Sequence, residues 1–387
     1  MAKKAYIGIN NKAKNIKKMY IGINNKAKRI KKAYIGIGGV ARPCFGWGNF
    51  TYYGTITGLD DPRAQMAATT IGDYAIFAGG RCWNPTSVGA SSLVEGYNSS
   101  LTKKSNIPQL NEAQQDPSTT FVGNYVLFAG GTNGAKTTYY SKAVTAYTNE
   151  LTKNGNCQYL TNYKAHLAAT SIGNYALFAG GSDNSTFYSN VEAYDNNLTK
   201  NNNCTSLYIA RHSLAATTLG NWALFAGGMT NASYTGIIDA YDASLTKKNN
   251  GEISNLTARS NLAATSVGNY ALFAGGREYN GYALSLVEAY NTAFTKIIIT
   301  ELSETQSDPV AISINNWAIF FGNYSSSVVD AYDVFLTKKR LSNFQITRTD
   351  NRVAITNKYI ILAGLPTNSD IYNWPSNQSE VYIYEDL

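Results

Sequence analysis

The sequence predicts an all-β chain: a seven-bladed propeller whose last blade is closed by an N-terminal strand, with tandem β-hairpins ahead of it. Three observations predict this. The segment Ala176-Leu177-Phe178-Ala179-Gly180-Gly181 recurs, and the first glycine of each copy falls at Gly79, Gly130, Gly180, Gly227, Gly275, Gly322 and Gly364. The intervals of 51, 50, 47, 48, 47 and 42 residues match propeller-type repeats of roughly 50 residues. Each copy also sits among short strand-like runs separated by turn residues, the pattern of four-stranded blades. Finally, residues 3–45 carry an independent repeat of 14 residues, each copy reading strand, two-residue turn, strand.

The N-terminal copies begin at Lys3, Lys17 and Lys31, with turn pairs Asn10-Asn11, Asn24-Asn25 and Gly38-Gly39. Those residue types tolerate the positive φ of a type I′ turn. Pairing about the first turn places Ile7, Ile9, Lys12, Lys14 and Ile16 on one face and Tyr6, Gly8, Ala13 and Asn15 on the other. Neither face is apolar enough to make a core, so the expectation is a module ordered against another copy or a larger assembly, with a flexible, solvated basic arm as the plainer alternative. The net charge of +8 belongs to this end. Residues 1–49 hold 12 Lys or Arg and no acid, and the rest of the chain has 21 basic against 25 acidic residues. No DNA- or RNA-binding module surrounds the basic residues, which argues against nucleic acid as a partner. The expected division is 1–45 as basic hairpins for attachment or oligomerisation, 46–49 as a hinge, and 50–387 as the propeller.

The third repeat shows how a unit is built. Leu167 to Ile172 form a first strand, Gly173-Asn174 a tight turn, and Tyr175 to Ala179 a second strand ended by Gly180-Gly181. A polar loop leads to a third strand, Asn190 to Tyr194, and a turn at Asp195 to Asn197 leads to a fourth at Leu198-Thr199-Lys200. The unbroken apolar second strand implies burial on both faces, between neighbouring blades. The last repeat lacks a fourth strand, whereas Phe50-Thr51-Tyr52-Tyr53 aligns with Leu101-Thr102-Lys103-Lys104. That strand is expected to complete the seventh blade and tie the two ends together.

These residues resemble the kelch family of propellers over about residues 50–387. The double glycine, a third-strand tyrosine (Tyr97, Tyr147, Tyr194, Tyr241, Tyr290, Tyr332, Tyr382) and a basic residue ahead of the first strand (Arg63, Lys164, Arg211, Arg259, Arg348) carry the likeness. The family's tryptophan six residues after the tyrosine is absent; Lys103, Lys153, Lys200, Lys247, Lys296 or Lys338 stands there, so the likeness is to a divergent member. The basic hairpins, Lys-Lys-x-Tyr-Ile-Gly-Ile-Asn-Asn-Lys-Ala-Lys, resemble short repeats that begin tail-associated proteins of phages and prophages of Gram-positive bacteria. That resemblance implies a virion location, with other tail proteins or further copies of the chain as partners of residues 1–45.

Candidate binding residues lie after the double glycines, in loops of unequal length that each carry an aromatic: Trp83, Tyr139, Tyr140, Phe187, Tyr188, Tyr234, Tyr279, Tyr282, Tyr324, Tyr372 and Trp374. Exposed rings stack on sugars and fill protein pockets, while rings packed on their own loops are the plainer alternative. Arg63, Lys164, Arg211, Arg259 and Arg348 are a candidate basic ring at the channel mouth, suited to an acidic sugar, phosphate or carboxylate. Ala113 and Gln306 take the corresponding places in the other two units. The competing reading pairs each cation with a third-strand acid, Glu95, Glu192, Asp239, Glu288, Asp330 or Glu380.

The residues suggest no catalytic set, metal or cofactor. The two histidines, His166 and His212, stand at non-equivalent offsets, and a copper centre of the galactose-oxidase type needs two His and two Tyr together. No phosphate-binding glycine loop opens a helix. A glycan-active enzyme would need clustered carboxylates, for which Asp60, Asp61, Asp116 and Asp308 are the candidates near the loop face. No apolar run is long enough for a membrane span or a signal-peptide core, and Cys44, Cys82, Cys157 and Cys204 read as free thiols. The expected function is non-enzymatic recognition of a host-surface glycan or protein. A decoration protein that only packs on other virion proteins is the alternative.

Overall fold

A computed structural model describes residues 50–364 except 62, 83–88, 135–138, 202, 249–252, 323–327, 342–351 and 358; outside that set it describes the backbone of strands alone. The chain is all-β, with no helix among the described residues. Its backbone divides into two compact units, Met1–Tyr52 with Ile383–Leu387, and Tyr53–Tyr382.

In the smaller unit, Ala5–Ile9 pairs with Lys12–Ile16, Met19–Ile23 with Lys26–Ile30, and Ala33–Ile37 with Val40–Phe45. Ile7 stands opposite Lys14 and Ile9 opposite Lys12, the cross-strand partners expected from a two-residue turn. The third hairpin departs from the others. Tyr34 faces Pro43, and the register slips before Ala33 reaches Phe45. Proline has no N–H to give the ladder, so the strand bulges there.

In the larger unit the repeats fold into antiparallel sheets in chain order. The third is the pattern: Ala168–Ile172, Tyr175–Ala179, Val191–Tyr194 and Lys200–Asn201, hydrogen-bonded in that sequence. The first, second, fifth and sixth repeats copy it. In the fourth, the last strand shrinks to a single bridge between Tyr241 and Lys247. The sheet of the seventh runs Arg348–Ile355, Tyr359–Pro366, Ser379–Asp386, then Gly48–Ile56.

The core lies between neighbouring sheets. Ala176 and Phe178 pack with Leu127 and Ala129 of the repeat before, while Leu177 and Ala179 pack with Ala223 and Phe225 of the repeat after. Phe178 is fully buried, a burial of roughly 2–3 kcal/mol for a side chain of that size. Its ring meets Tyr194 edge-on with centroids 5.9 Å apart, the preferred geometry for two quadrupoles. First strands neighbour one another in chain order, and Arg348–Ile355 lies beside both Val310–Ile314 and Ala67–Ile71. Thr70 Oγ1 donates to Ile355 O (2.6 Å) and accepts from Ile355 N (3.1 Å).

The double glycines stitch these sheets together. Gly180 has φ +70°, and a Cβ there would sit 2.5 Å from Arg211 O of the next repeat. Gly181 N donates to that same carbonyl at 3.0 Å. Only glycine permits the left-handed turn and the close approach together. Beyond it the chain does not enter a free loop. In the first repeat it continues as a ladder, Arg81–Asn84 between Arg63–Ala64 and Ser87–Ala90. In the second to fifth repeats the residue after the glycines bridges both ways, as Ser182 does to Ala165 and Phe187.

Candidate functional site

The basic residues ahead of the first strands turn inward. Arg63, Lys164, Arg211 and Arg259 are 0% exposed. Each meets the acid of its own third strand: Arg63 with Glu95, Lys164 with Glu192 (3.1 Å), Arg211 with Asp239 (2.9 Å) and Arg259 with Glu288 (2.9 Å). These four offer no surface to a ligand; the side chain of Arg348 lies outside the described residues. The same carboxylates are reached by the lysines that stand six residues after the third-strand tyrosines. Lys103 lies 2.6 Å from Glu95, Lys200 3.0 Å from Glu192, and Lys296 2.5 Å from Glu288. Lys200 also donates to Tyr159 O (3.1 Å) and Lys296 to Asn255 O (3.1 Å), so each ammonium clamps the segment entering its repeat. Burial disfavours the charge of Glu192, yet Lys164 and Lys200 together hold its carboxyl below the usual carboxylate range. Burial lowers Lys164.

Two repeats break the pattern. In the second, the place sixteen residues ahead of the marker glycine belongs to Gln114, not to Ala113. Gln114 Nε2 donates to Gly130 O (2.7 Å) and Ala143 O (3.2 Å), as Arg63 donates to Gly79 O (2.8 Å) and Leu93 O (2.9 Å). Thr145 stands opposite Phe128, as Glu95 does opposite Phe77, so both members of this copy are neutral. In the sixth, Gln306 is buried with both amide atoms unpartnered, while Asp330 lies 3.5 Å from Lys338.

Chemistry instead collects two residues further on. Gln65, Asp116, His166, Ser213, Asn261 and Asp308 all stand fourteen residues ahead of their marker glycines. They differ in every repeat but one, and all are polar. Five of them, Gln65 to Asn261, hold φ between 52° and 56°. That conformation is uncommon for residues with a Cβ, and here backbone bonds between repeats support it. Asp116 N donates to Gln65 O (2.7 Å), Ser213 N to His166 O (2.9 Å), and Asn261 N to Ser213 O (2.9 Å).

All of these but Ser213 edge a cavity of about 610 Å³ walled by alanines of the first strands, with Arg277 and Arg352 also on its lining. Its charges are loosely paired. Asp116 lies 3.4 Å from His166 Nδ1 and 3.7 Å from Arg352, and Asp308 lies 3.5 Å from Arg277. Loss of water works against the charge of Asp116, but His166 and Arg352 hold it below the usual range. Its hydrogen bond to Asp116 raises His166. Burial, with the neighbouring His166, pushes His212 down to about 4, and burial raises Asp308. The two imidazoles stand 5.9 Å apart, with Phe187 edge-on to His212 at 4.6 Å. Asp60 is elsewhere, held at 2.6 Å by Lys103.

Among the described residues, none of the expected aromatics lines the cavity. Tyr279 and Tyr282 are 71% and 69% exposed. Tyr139 packs on Tyr140 and Tyr234 on Tyr279, both edge-on at 5.3 and 6.0 Å. Tyr140 donates to Asn184 (3.0 Å), which ties it to the loop of the next repeat, and Tyr188 donates to Asp183 (2.6 Å) within its own loop. The side chains of Trp83, Tyr324, Tyr372 and Trp374 lie outside the described residues. Cys82, Cys157 and Cys204 are free thiols. A comparison with family models gives no match, and a comparison with curated proteins gives none.

The sequence carried one usable signal for this site that the motif reading missed. Among repeats whose strands barely vary, the position fourteen residues before the glycine varies freely while staying polar. A scaffold position cannot do that; a position facing a cavity can.

Proposed function

We propose that residues 50–387 form a seven-bladed, kelch-like propeller and that the chain is a non-enzymatic recognition protein of a phage or phage-like particle. Its loop face binds a host-surface glycan or protein, and residues 1–45 attach it to other tail proteins or to further copies of itself. Closure of the ring is supported by the place of Gly48–Ile56 beside Ser379–Asp386 in the last sheet and by the bonds joining Thr70 to Ile355. The attachment role is supported by hairpins that set isoleucine beside lysine and so lack an apolar face of their own.

A single loop carries the recognition reading. It runs from Arg277, on the cavity lining, to Tyr279 and Tyr282, the most exposed of the described tyrosines. The turn is tight, with Gly281 N on Glu278 O (2.8 Å) and Glu278 N on Tyr282 O (3.1 Å). Two rings held out by a rigid turn beside a polar cavity suit a ligand that stacks and hydrogen-bonds together.

The decoration reading keeps one observation of its own: Tyr159, Tyr163, Tyr208 and Ile209 are exposed on successive entry segments, a surface suited to packing. Binding of the purified full chain to a panel of Gram-positive cells separates the two. Replacing Tyr279 and Tyr282 by alanine together is expected to weaken cell binding about tenfold or more, as loss of aromatic anchors does. Undiminished binding removes the loop face from the mechanism. No binding by the parent chain, with this face covered in electron-microscopy maps of the particle, establishes decoration.

A further inference from the structure

The buried arginines cannot meet a ligand, but the cavity keeps cations of its own. Arg277 directly follows the double glycine of the fifth repeat, and its side chain is 43% exposed. Its contact with Asp308, at 3.5 Å, leaves most of the five guanidinium donors open to a newcomer. Arg352 uses Nε on Met66 O (2.7 Å) and stands off from Asp116 at 3.7 Å. His166, 46% exposed, completes the group. Beside them stand two carboxylates: Asp116, 3.4 Å from His166 and 3.7 Å from Arg352, and Asp308, 3.5 Å from Arg277. Asn261 Nδ2 donates to Asp308 and Gln65 Oε1 accepts from Gln115 Nε2 (2.5 Å), and Ala168, Ala169, Ala216 and Ala264 give a wall with no polar side-chain atoms. The volume far exceeds that of a single small anion and lies within the range of organic ligand sites.

We propose that this cavity binds the anionic group of an acidic saccharide, with Arg277 as the fork donor, Arg352 and His166 lining the site beside it and the alanine wall against the sugar ring. The proposal rests on the recognition reading above and names its ligand. Planar guanidinium donors suit carboxylate and phosphate alike, so the anion is a uronate carboxylate or a phosphate diester of a polyol chain.

Calorimetry on the full-length protein tests it with four probes at low ionic strength: oligogalacturonate, oligo(glycerol phosphate), neutral dextran and oligoglutamate. One of the first two is expected to bind, which identifies the anion, and dextran is not. Arg277→Gln, an exposed change that leaves the fold intact, is expected to weaken that binding about tenfold, the loss of one charge-assisted contact. Arg340→Gln, at a surface pair with Glu304, is expected to leave it unchanged. The proposal is overturned if neither anionic saccharide binds, if Arg277→Gln binds as well as the parent, or if oligoglutamate binds as tightly. Cell binding measured in parallel separates this failure from that of the recognition reading. Cells bound while both anionic saccharides fail overturns the ligand assignment alone, and loss of both overturns the two together.

Discussion

At the scale of single residues, the repeat works as an internal experiment on a buried charge. Glu192 has two cations, and it also accepts from Thr161 N (2.8 Å). Removing its charge leaves Lys164 buried with no counter-ion, so Glu192→Gln is expected to destabilise the chain by about 3–5 kcal/mol, the usual result of breaking one side of a buried pair. The second repeat shows that the pair is dispensable when both members change together, since Gln114 and Thr145 replace it without charge. The sixth has changed only one member. Gln306→Arg should restore the missing cation to Asp330 and raise stability by about 1 kcal/mol, in the range of repairs that complete an unfinished contact. Denaturant melts of the two variants check both statements. A neutral Glu192→Gln would mean that the lysines find other partners, and a destabilising Gln306→Arg would mean that the space has already closed.

At the scale of the element, the second strand and its double glycine form the seam between repeats. Four of the five residues in Tyr175–Ala179 are buried, so this strand was recognisable from its unbroken apolar run. The glycines are more informative in space than in sequence. A Cβ on Gly180 would meet the Arg211 carbonyl of the following repeat at 2.5 Å, with φ at +70°. Gly180→Ala is expected to destabilise by more than about 1 kcal/mol, because strain and a clash act together. A melt of that variant unchanged from the parent would show that the seam yields. The turn from third to fourth strand is strained too, and compensated locally. Leu198 holds φ +61° while 1% exposed, and Asp195 Oδ1 accepts from Asn197 N and Thr199 N, both at 2.9 Å. Burial of the leucine and the side-chain turn at Asp195 offset a conformation that leucine alone disfavours.

At the scale of the whole molecule, the cavity is an assembly that no single repeat contains. Its Asp116 comes from the second repeat, His166 from the third, Arg277 from the fifth, Asp308 from the sixth and Arg352 from the seventh. Their electrostatics are correspondingly collective: His166 answers to Asp116 and Asp308, and His212 to His166. The chain has two histidines, so their imidazole resonances can be followed separately by NMR. His166 is expected to titrate above about 6.5, the ordinary value, and His212 near 4. The raised His166 contributes stability that is complete below about 6.5 and fades as pH rises through its folded value. The depressed Asp116 contributes above about 4 and fades as pH falls, so the pair is strongest between those limits. Asp116→Asn should bring His166 down. Two histidines titrating together near the ordinary value would contradict the arrangement.

What the sequence by itself determined is the all-β class and its repeated antiparallel strands, because hydrophobic periodicity and glycine spacing are local. It also offered both fates for Arg63, Lys164, Arg211 and Arg259. Only the tertiary structure chose between them, since a pair such as Arg63 with Glu95 is separated by 32 residues and its burial depends on the neighbouring sheet. The third-strand acids and the lysines six residues after the tyrosines were visible as columns, but that two cations such as Lys164 and Lys200 share one carboxylate is a fact of three dimensions. The cavity was the least legible. Its residues lie in different repeats, each looks like an ordinary loop residue, and strands that neighbour one another in the fold bring them together.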